Sequence, residues 1–197
     1  MSSNSQEVIR RGRPRSDRAR RAVLDAAAGL ALEGAANAGV DAIAARAGVS
    51  RTTVYKWWPS AAAVLLEGLL ERTHETIESD PSQTAHEALL GYLGRLVQLL
   101  RDPPVGALVR GLMSASVTDP AVSAALIDDW LAPRRSAVVS LLIEAVAHGE
   151  VRAGLDYDAV ADVLFAPIYH RLIFQHEPLT DRLPDEIMAV CWPGIRA

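Results

Sequence analysis

Leu89, Leu93, Leu96 and Leu100 recur at spacings of 4, 3 and 4, a period that lines one face of an α-helix and no face of a strand. Similar stripes run on both sides of this one, separated by hard stops at Asp80-Pro81-Ser82, Asp102-Pro103-Pro104, Asp119-Pro120, Pro133, Gly149, Gly154 and Pro193-Gly194. Prolines and glycines placed this way end helices. The pattern predicts helices over about 17–34, 40–47, 51–58, 60–79, 83–101, 105–116, 119–131, 133–148, 156–176 and 181–192, the ninth kinked at Pro167. Ser16 or Asp17 can cap the first, which buries Val23, Ala26, Ala27 and Leu30. Aromatics make up only 5% of the chain, a poor supply for sheets. The expectation is an all-α protein.

Charge divides the chain. Residues 1–58 hold nine Arg and one Lys against five acids, whereas residues 59–197 hold ten Arg against nineteen acids, so a head of +5 sits on a body of −9. That asymmetry points to a polyanion held by the head. Cys191 is the only cysteine, which excludes a disulfide within one copy. No secretory leader and no apolar run of about 18 residues is present, so the expected location is the cytoplasm, away from any membrane. The expected organisation is a flexible basic arm over 1–15, a helical head over 16–78 and an acidic helical body over 79–197.

Two short helices carry the functional signal. Val40, Ile43, Ala44 and Ala47 share one face at 100° per residue, Gly48 permits a tight turn, and Ser50 caps the next helix. On that second helix Val54 and Trp58 point inward, leaving Thr52, Thr53 and Lys56 on the opposite arc with Arg51, Tyr55 and Trp57 on its flanks. A major groove about 12 Å wide admits one such helix, whose exposed arc must offer donors to bases and phosphates. Arg51 can fork onto guanine, Thr52 and Thr53 can meet a thymine methyl or a phosphate, and Tyr55 and Lys56 suit phosphates. Trp57 either stacks on the DNA backbone or folds onto the core. Helix-start amides near Gly39 and Ser50 can also hold phosphate oxygens. In the arm, Arg11, Arg13 and Arg15 flank Gly12 and Pro14, a strip narrow enough for a minor groove; a floppy arm that only strengthens non-specific attraction is the other reading.

The stretch Ile43-Ala44-Ala45-Arg46-Ala47-Gly48-Val49-Ser50-Arg51-Thr52-Thr53-Val54-Tyr55-Lys56-Trp57-Trp58-Pro59-Ser60 resembles the helix-turn-helix signature of the tetracycline-repressor (TetR) family of bacterial transcription regulators, and the resemblance extends over 17–70. It departs from the family pattern at Ala35 and Ala36, at Gly39 and at Ala61, where the family commonly has an aromatic, Thr or Ser, and Lys. The resemblance implies a dimer sealed by the last two long helices through a four-helix bundle, and a small-molecule pocket among the middle helices. Its function would be that of a ligand-responsive regulator, most simply a repressor on a palindromic duplex operator.

On the body's own residues, Val160, Val163, Leu164, Ile168, Leu172 and Ile173, with Ile187, Val190 and Cys191, form either a dimer seam or a core face. Met113, Trp130, Phe165, Tyr169 and His170 offer adaptable walls for an unidentified small-molecule effector, or ordinary core. His148 reads as a helix-end cap, and His74 with Glu78 as a solvated face rather than a metal pair. No G-x-S-x-G, H-E-x-x-H or C-x-x-C occurs, so neither an enzyme nor a cofactor or metal is expected. The alternative is a helical small-molecule-binding or scaffold protein whose basic head binds RNA or an acidic surface.

Overall fold

The computed structural model describes residues 13–33, 35, 38–72, 82–101 and 103–197. Among the described residues the regular structure is helical: α1 (Arg13–Leu32), α2 (Val40–Ala47), α3 (Arg51–Tyr55), α4 (Ala61–Arg72), α5 (Ala85–Arg101), α6 (Pro103–Ser116), α7 (Pro120–Ala125), a π-helical segment (Leu126–Leu131), α8 (Ala132–Ala147), α9 (Tyr157–Phe174) and α10 (Leu183–Ile195). The all-α expectation holds, with one isolated antiparallel bridge between Val151 and Arg196.

In the head, α1 packs against α2, α3 and α4. Its stripe of Val23, Leu24, Ala27 and Ala31 closes on Ile43, Ala44, Val54 and Trp58. Contact between α1 and α4 is close because Gly68 lacks a side chain: a Cβ there would stand 2.8 Å from the Leu24 carbonyl oxygen. In the body α5 lies centrally against α6, α8, α9 and α10. Leu89, Leu93, Leu96 and Leu100 are all buried there, as their spacing predicts. At the start of α5, Thr84 and Glu87 form a reciprocal capping box: Glu87 accepts from the Thr84 amide at 2.9 Å, and the Glu87 amide donates to the Thr84 hydroxyl at 3.3 Å. The core is continuous from head to body because α4 also packs against α6, α7 and the π-helical segment.

Three proline expectations are corrected. α1 begins at Arg13 rather than at Ser16 or Asp17, because a helix's first turn leaves its amides unpaired and so tolerates Pro14. Pro133 does not separate two helices; α7, the π-helical segment and α8 run on without a gap. A widened turn takes up the misfit, with the Ala132 amide reaching back five residues to the Ile127 carbonyl and Arg134 Nη1 donating to the Trp130 carbonyl at 3.0 Å. Pro193-Gly194 does not stop α10, which continues to Ile195. Burial of Ile195 and two backbone bonds, Arg152 N–H to Ile195 O at 2.9 Å and Ala197 N–H to Glu150 O at 3.0 Å, hold that last turn.

Candidate nucleic-acid interface

The turn between α2 and α3 is set by Gly48, whose φ of 66° lies in the left-handed region that glycine enters without steric cost. The Val49 amide then donates to the Ala44 carbonyl at 3.0 Å. Ser50 caps α3 by accepting from the Thr53 amide at 3.2 Å, and its hydroxyl also pairs with the Thr53 hydroxyl at 2.9 Å. With these bonds α3 has a fixed rotation: Val54 is fully buried and Trp58 nearly so, while Arg51, Thr52, Tyr55 and Lys56 are exposed. Thr53 is half-buried beside its capping serine. The arc read from the sequence is therefore the outward one.

Arg51 is aimed by Asp41 at the start of α2, with Nε 3.0 Å from the carboxylate; both side chains are exposed. Lys56 Nζ lies 5.4 Å from the centre of the Trp57 ring. Trp57 is half-buried, its ring edge-on to Trp58 at 5.7 Å, and it packs against the core. Gly39 caps α2 without a side-chain bond and is exposed. Arg46 of α2 forks onto Glu33 just past α1, with both nitrogen–oxygen distances 2.6 Å. That guanidinium holds the Glu33 carboxyl below its ordinary range. Arg11 lies outside the described residues, and Arg13 and Arg15 have helical rather than extended backbone; the minor-groove strip expected over 11–15 is corrected to that extent.

Two family models match the chain: "Bacterial regulatory proteins, tetR family" over residues 23–67 and "Tetracyclin repressor-like, C-terminal domain" over residues 80–191. The chain belongs to the TetR family. TetR-family members are DNA-binding transcriptional regulators and not enzymes. The chain is 29% identical over 189 residues to the uncharacterized HTH-type transcriptional regulator YdeS of Bacillus subtilis, covering 95% of each protein. It is 29% identical over 166 residues to the DNA-binding transcriptional repressor TetR of Mycobacteroides abscessus, covering 80% of this chain and 85% of that one. The crystal structure of the TetR family transcription regulator SCO0332 superposes with a TM-score of 0.76 at 30% identity, covering 88% of this chain and 96% of that one.

Beyond α3, Glu67 of α4 is a junction that sequence reasoning missed. Its carboxylate accepts from Trp58 Nε1 and from Arg20 of α1, whose guanidinium also lies 5.5 Å from the centre of the Trp58 ring. Asp129 of the π-helical segment is close enough to feel Glu67: burial first, then Glu67 and Asp128, raise its carboxyl above the ordinary range. Spacing gives no hint of this junction, because its members lie on separate elements.

In the body of this TetR-family chain, Trp130, Phe165 and Tyr169 come together as the sequence reading grouped them. Trp130 Nε1 donates to the Tyr169 hydroxyl at 3.0 Å, and the Phe165 ring lies 6.3 Å from Tyr169 and 5.9 Å from Tyr92. Met113 is half-buried against the core. His170 is not with them; it is exposed, beside Phe174 at 5.0 Å and His176 at 4.6 Å. The reason is rotation, since Tyr169 and His170 are neighbours about 100° apart on one helix. The seam is also corrected: Leu164, Ile168, Leu172 and Ile187 are at most 5% exposed and fill the chain's own core. Val163 and Ile173 of α9 and Val190 of α10 face outward, Val190 at 81% exposure, with Val160 half-buried. Cys191 is half-buried, and burial pushes its thiol up. His74 and Glu78 lie outside the described residues, and no described helix is long and apolar enough to cross a membrane.

Proposed function

We propose that this chain is a cytoplasmic, ligand-responsive repressor that binds a palindromic duplex operator as a homodimer and leaves it when a small molecule occupies the body. The observation that carries the reading is the rotation of α3, which buries Val54 and Trp58 and turns Arg51, Thr52, Tyr55 and Lys56 outward. An arc of two cations, a hydroxyl and a phenol on one short helix matches the donors that base edges and phosphates demand. Arg51 reads a base, Lys56 and Tyr55 hold phosphates, and Asp41 keeps the Arg51 side chain extended toward its target.

One head contacts few base pairs, so sequence-specific repression requires two copies about one duplex turn apart, roughly 34 Å. Support for pairing comes from Val163, Ile173 and Phe174 on α9 and Val190 on α10, large apolar side chains that the chain leaves exposed. Trp130, Phe165, Tyr169 and Met113 serve as the effector site. Glu67 supplies the coupling, since it ties α4 to Trp58, and α4 packs against the π-helical segment on its other side. A shift of the π-helical segment alters the α4–Trp58 contact and with it the seating of α3.

Selection of bound sites from random duplex tests the proposal. The expected product is two inverted half-sites centred about one helical turn apart. Recovery of duplexes with no shared sequence, or of a single unpaired half-site, refutes it.

A further inference from the structure

Among the described residues Arg134 is the one charged side chain in the buried class, at 8% exposure. Its neighbour Arg135 reaches two carboxylates, Asp158 at 3.2 Å and Asp162 at 3.1 Å. Arg134 has no carboxylate partner among the described residues. Its guanidinium carbon lies 3.6 Å from the centre of the Trp130 ring, and Nη1 donates to the Trp130 carbonyl at 3.0 Å. Nε is sealed from solvent and has no acceptor among the described residues.

A guanidinium taken out of water is costly unless an anion and hydrogen bonds replace its hydration. One aromatic face and one carbonyl replace part of it and leave the net charge unanswered. With Nη1 engaged on the carbonyl and Nε without an acceptor, the edge that remains to receive an anion is the one formed by Nε and Nη2. Those two donors lie parallel and match the two oxygens of a carboxylate. The surroundings of that edge are aromatic: Trp130 beneath it, joined through its indole nitrogen to Tyr169 and onward by ring contacts to Phe165.

Resting on the reading of the chain as a ligand-responsive regulator, we propose that Arg134 is the anion-recognition point of the effector site, and that the effector is a carboxylate carried on an apolar or aromatic body. Recognition also supplies the signal. The Arg134 bond to the Trp130 carbonyl spans the junction between the π-helical segment and α8, where Pro133 already disturbs the helical pattern. A carboxylate that draws the guanidinium toward itself frees that carbonyl and shifts the π-helical segment, which packs against α4, the helix that carries Glu67.

The test uses octanoate and benzoate as probes, with octanamide and benzamide as uncharged counterparts of nearly the same shape. Each is titrated calorimetrically into the full chain and into a complex with the duplex obtained by selection. The wild type is expected to bind the acids about tenfold or more tightly than the amides, and the acids alone are expected to release the duplex. Arg134→Met keeps the side-chain length, removes the charge and removes the donor to the Trp130 carbonyl, so it should bind acid and amide alike and should hold the duplex more weakly than the parent even without an acid. Arg134→Lys keeps the charge, loses the fork, and should retain a reduced preference for acid; it carries the test if the Met variant folds poorly. Equal binding of acid and amide by the wild type, no binding of either acid, or an unchanged acid preference in Arg134→Met overturns the assignment. A wild type that binds its preferred duplex yet ignores both acids sinks this inference alone, whereas a wild type with no duplex preference sinks the reading beneath it.

Discussion

Replacing Gly68 with alanine tests the packing of α4 on α1, the helix against which α2 and α3 rest. The new methyl would stand 2.8 Å from the Leu24 carbonyl oxygen and 3.1 Å from the Ala28 amide nitrogen. Both are backbone atoms of α1, so relief requires α1 and α4 to move apart by several tenths of an ångström. Overpacking of this kind costs about 1–3 kcal/mol, and alanine recovers about 1 kcal/mol of helix propensity. With two rigid contacts the net loss falls near 1–2 kcal/mol, roughly a 2–8 °C fall in melting temperature for a chain of this size. Gly94 of α5 is the matched control, since a methyl there meets nothing within 4 Å. Gly94→Ala should gain about 0.5–1 kcal/mol and raise the melting temperature by roughly 1–4 °C. Scanning calorimetry on the two variants reads the difference. If Gly68→Ala is as stable as the parent, or if both substitutions move the transition the same way, the close approach of α4 to α1 is wrong.

Lys56→Ala should weaken binding to all duplexes by a similar factor and lower the slope of log affinity against log salt by about 1 per head; a loss confined to one sequence would contradict its phosphate role. Trp58→Phe keeps most of the buried ring but removes a donor from Glu67, so a loss of about 1–2 kcal/mol in denaturant unfolding is expected. Glu87 is held below its ordinary value of 4.5 by the Thr84 amide and hydroxyl, so its contribution to stability is present above that pH and is lost as pH falls through the folded value. The stability gap between the parent and Glu87→Gln, measured by urea unfolding, should therefore close in acid; a gap that does not vary with pH refutes the cap. Asp129 has the opposite sign. Burial and its acidic neighbours raise it above 3.8, so Asp129→Asn should be more stable than the parent at neutral pH, with the advantage shrinking as the medium approaches that value.

Much of the fold was legible because apolar spacing and chain breakers are local signals. The stripe from Leu89 to Leu100, the inward pair Val54 and Trp58, and the turn at Gly48 needed only neighbours within a few residues. The prolines misled where a second, distant element compensated them: Pro193 by the clip between Arg196 and Val151, and Pro133 by the π-helical widening and the Arg134 bond. The seam is undecided in the sequence for a related reason. Helical spacing shows that Leu164, Ile168 and Leu172 share a face, but not whether that face meets α5 and α6 of the same chain or a second copy. Arg134 was within reach, because Trp130 and Arg134 are four apart on one helix and thus stack. Glu67 was not, since its partners Arg20 and Trp58 lie 47 and 9 residues away on other parts of the head.

The most direct measurement is the affinity of the parent and of Arg51→Ala for a selected duplex and for every single-base variant of one half-site. The parent should discriminate by about 1–3 kcal/mol at the contacted base pair, and the variant should lose this discrimination at that pair while keeping it elsewhere. Should the variant bind the whole set with the parent's pattern of preference, α3 does not read the groove through Arg51, and the orientation of the head on DNA described here is wrong.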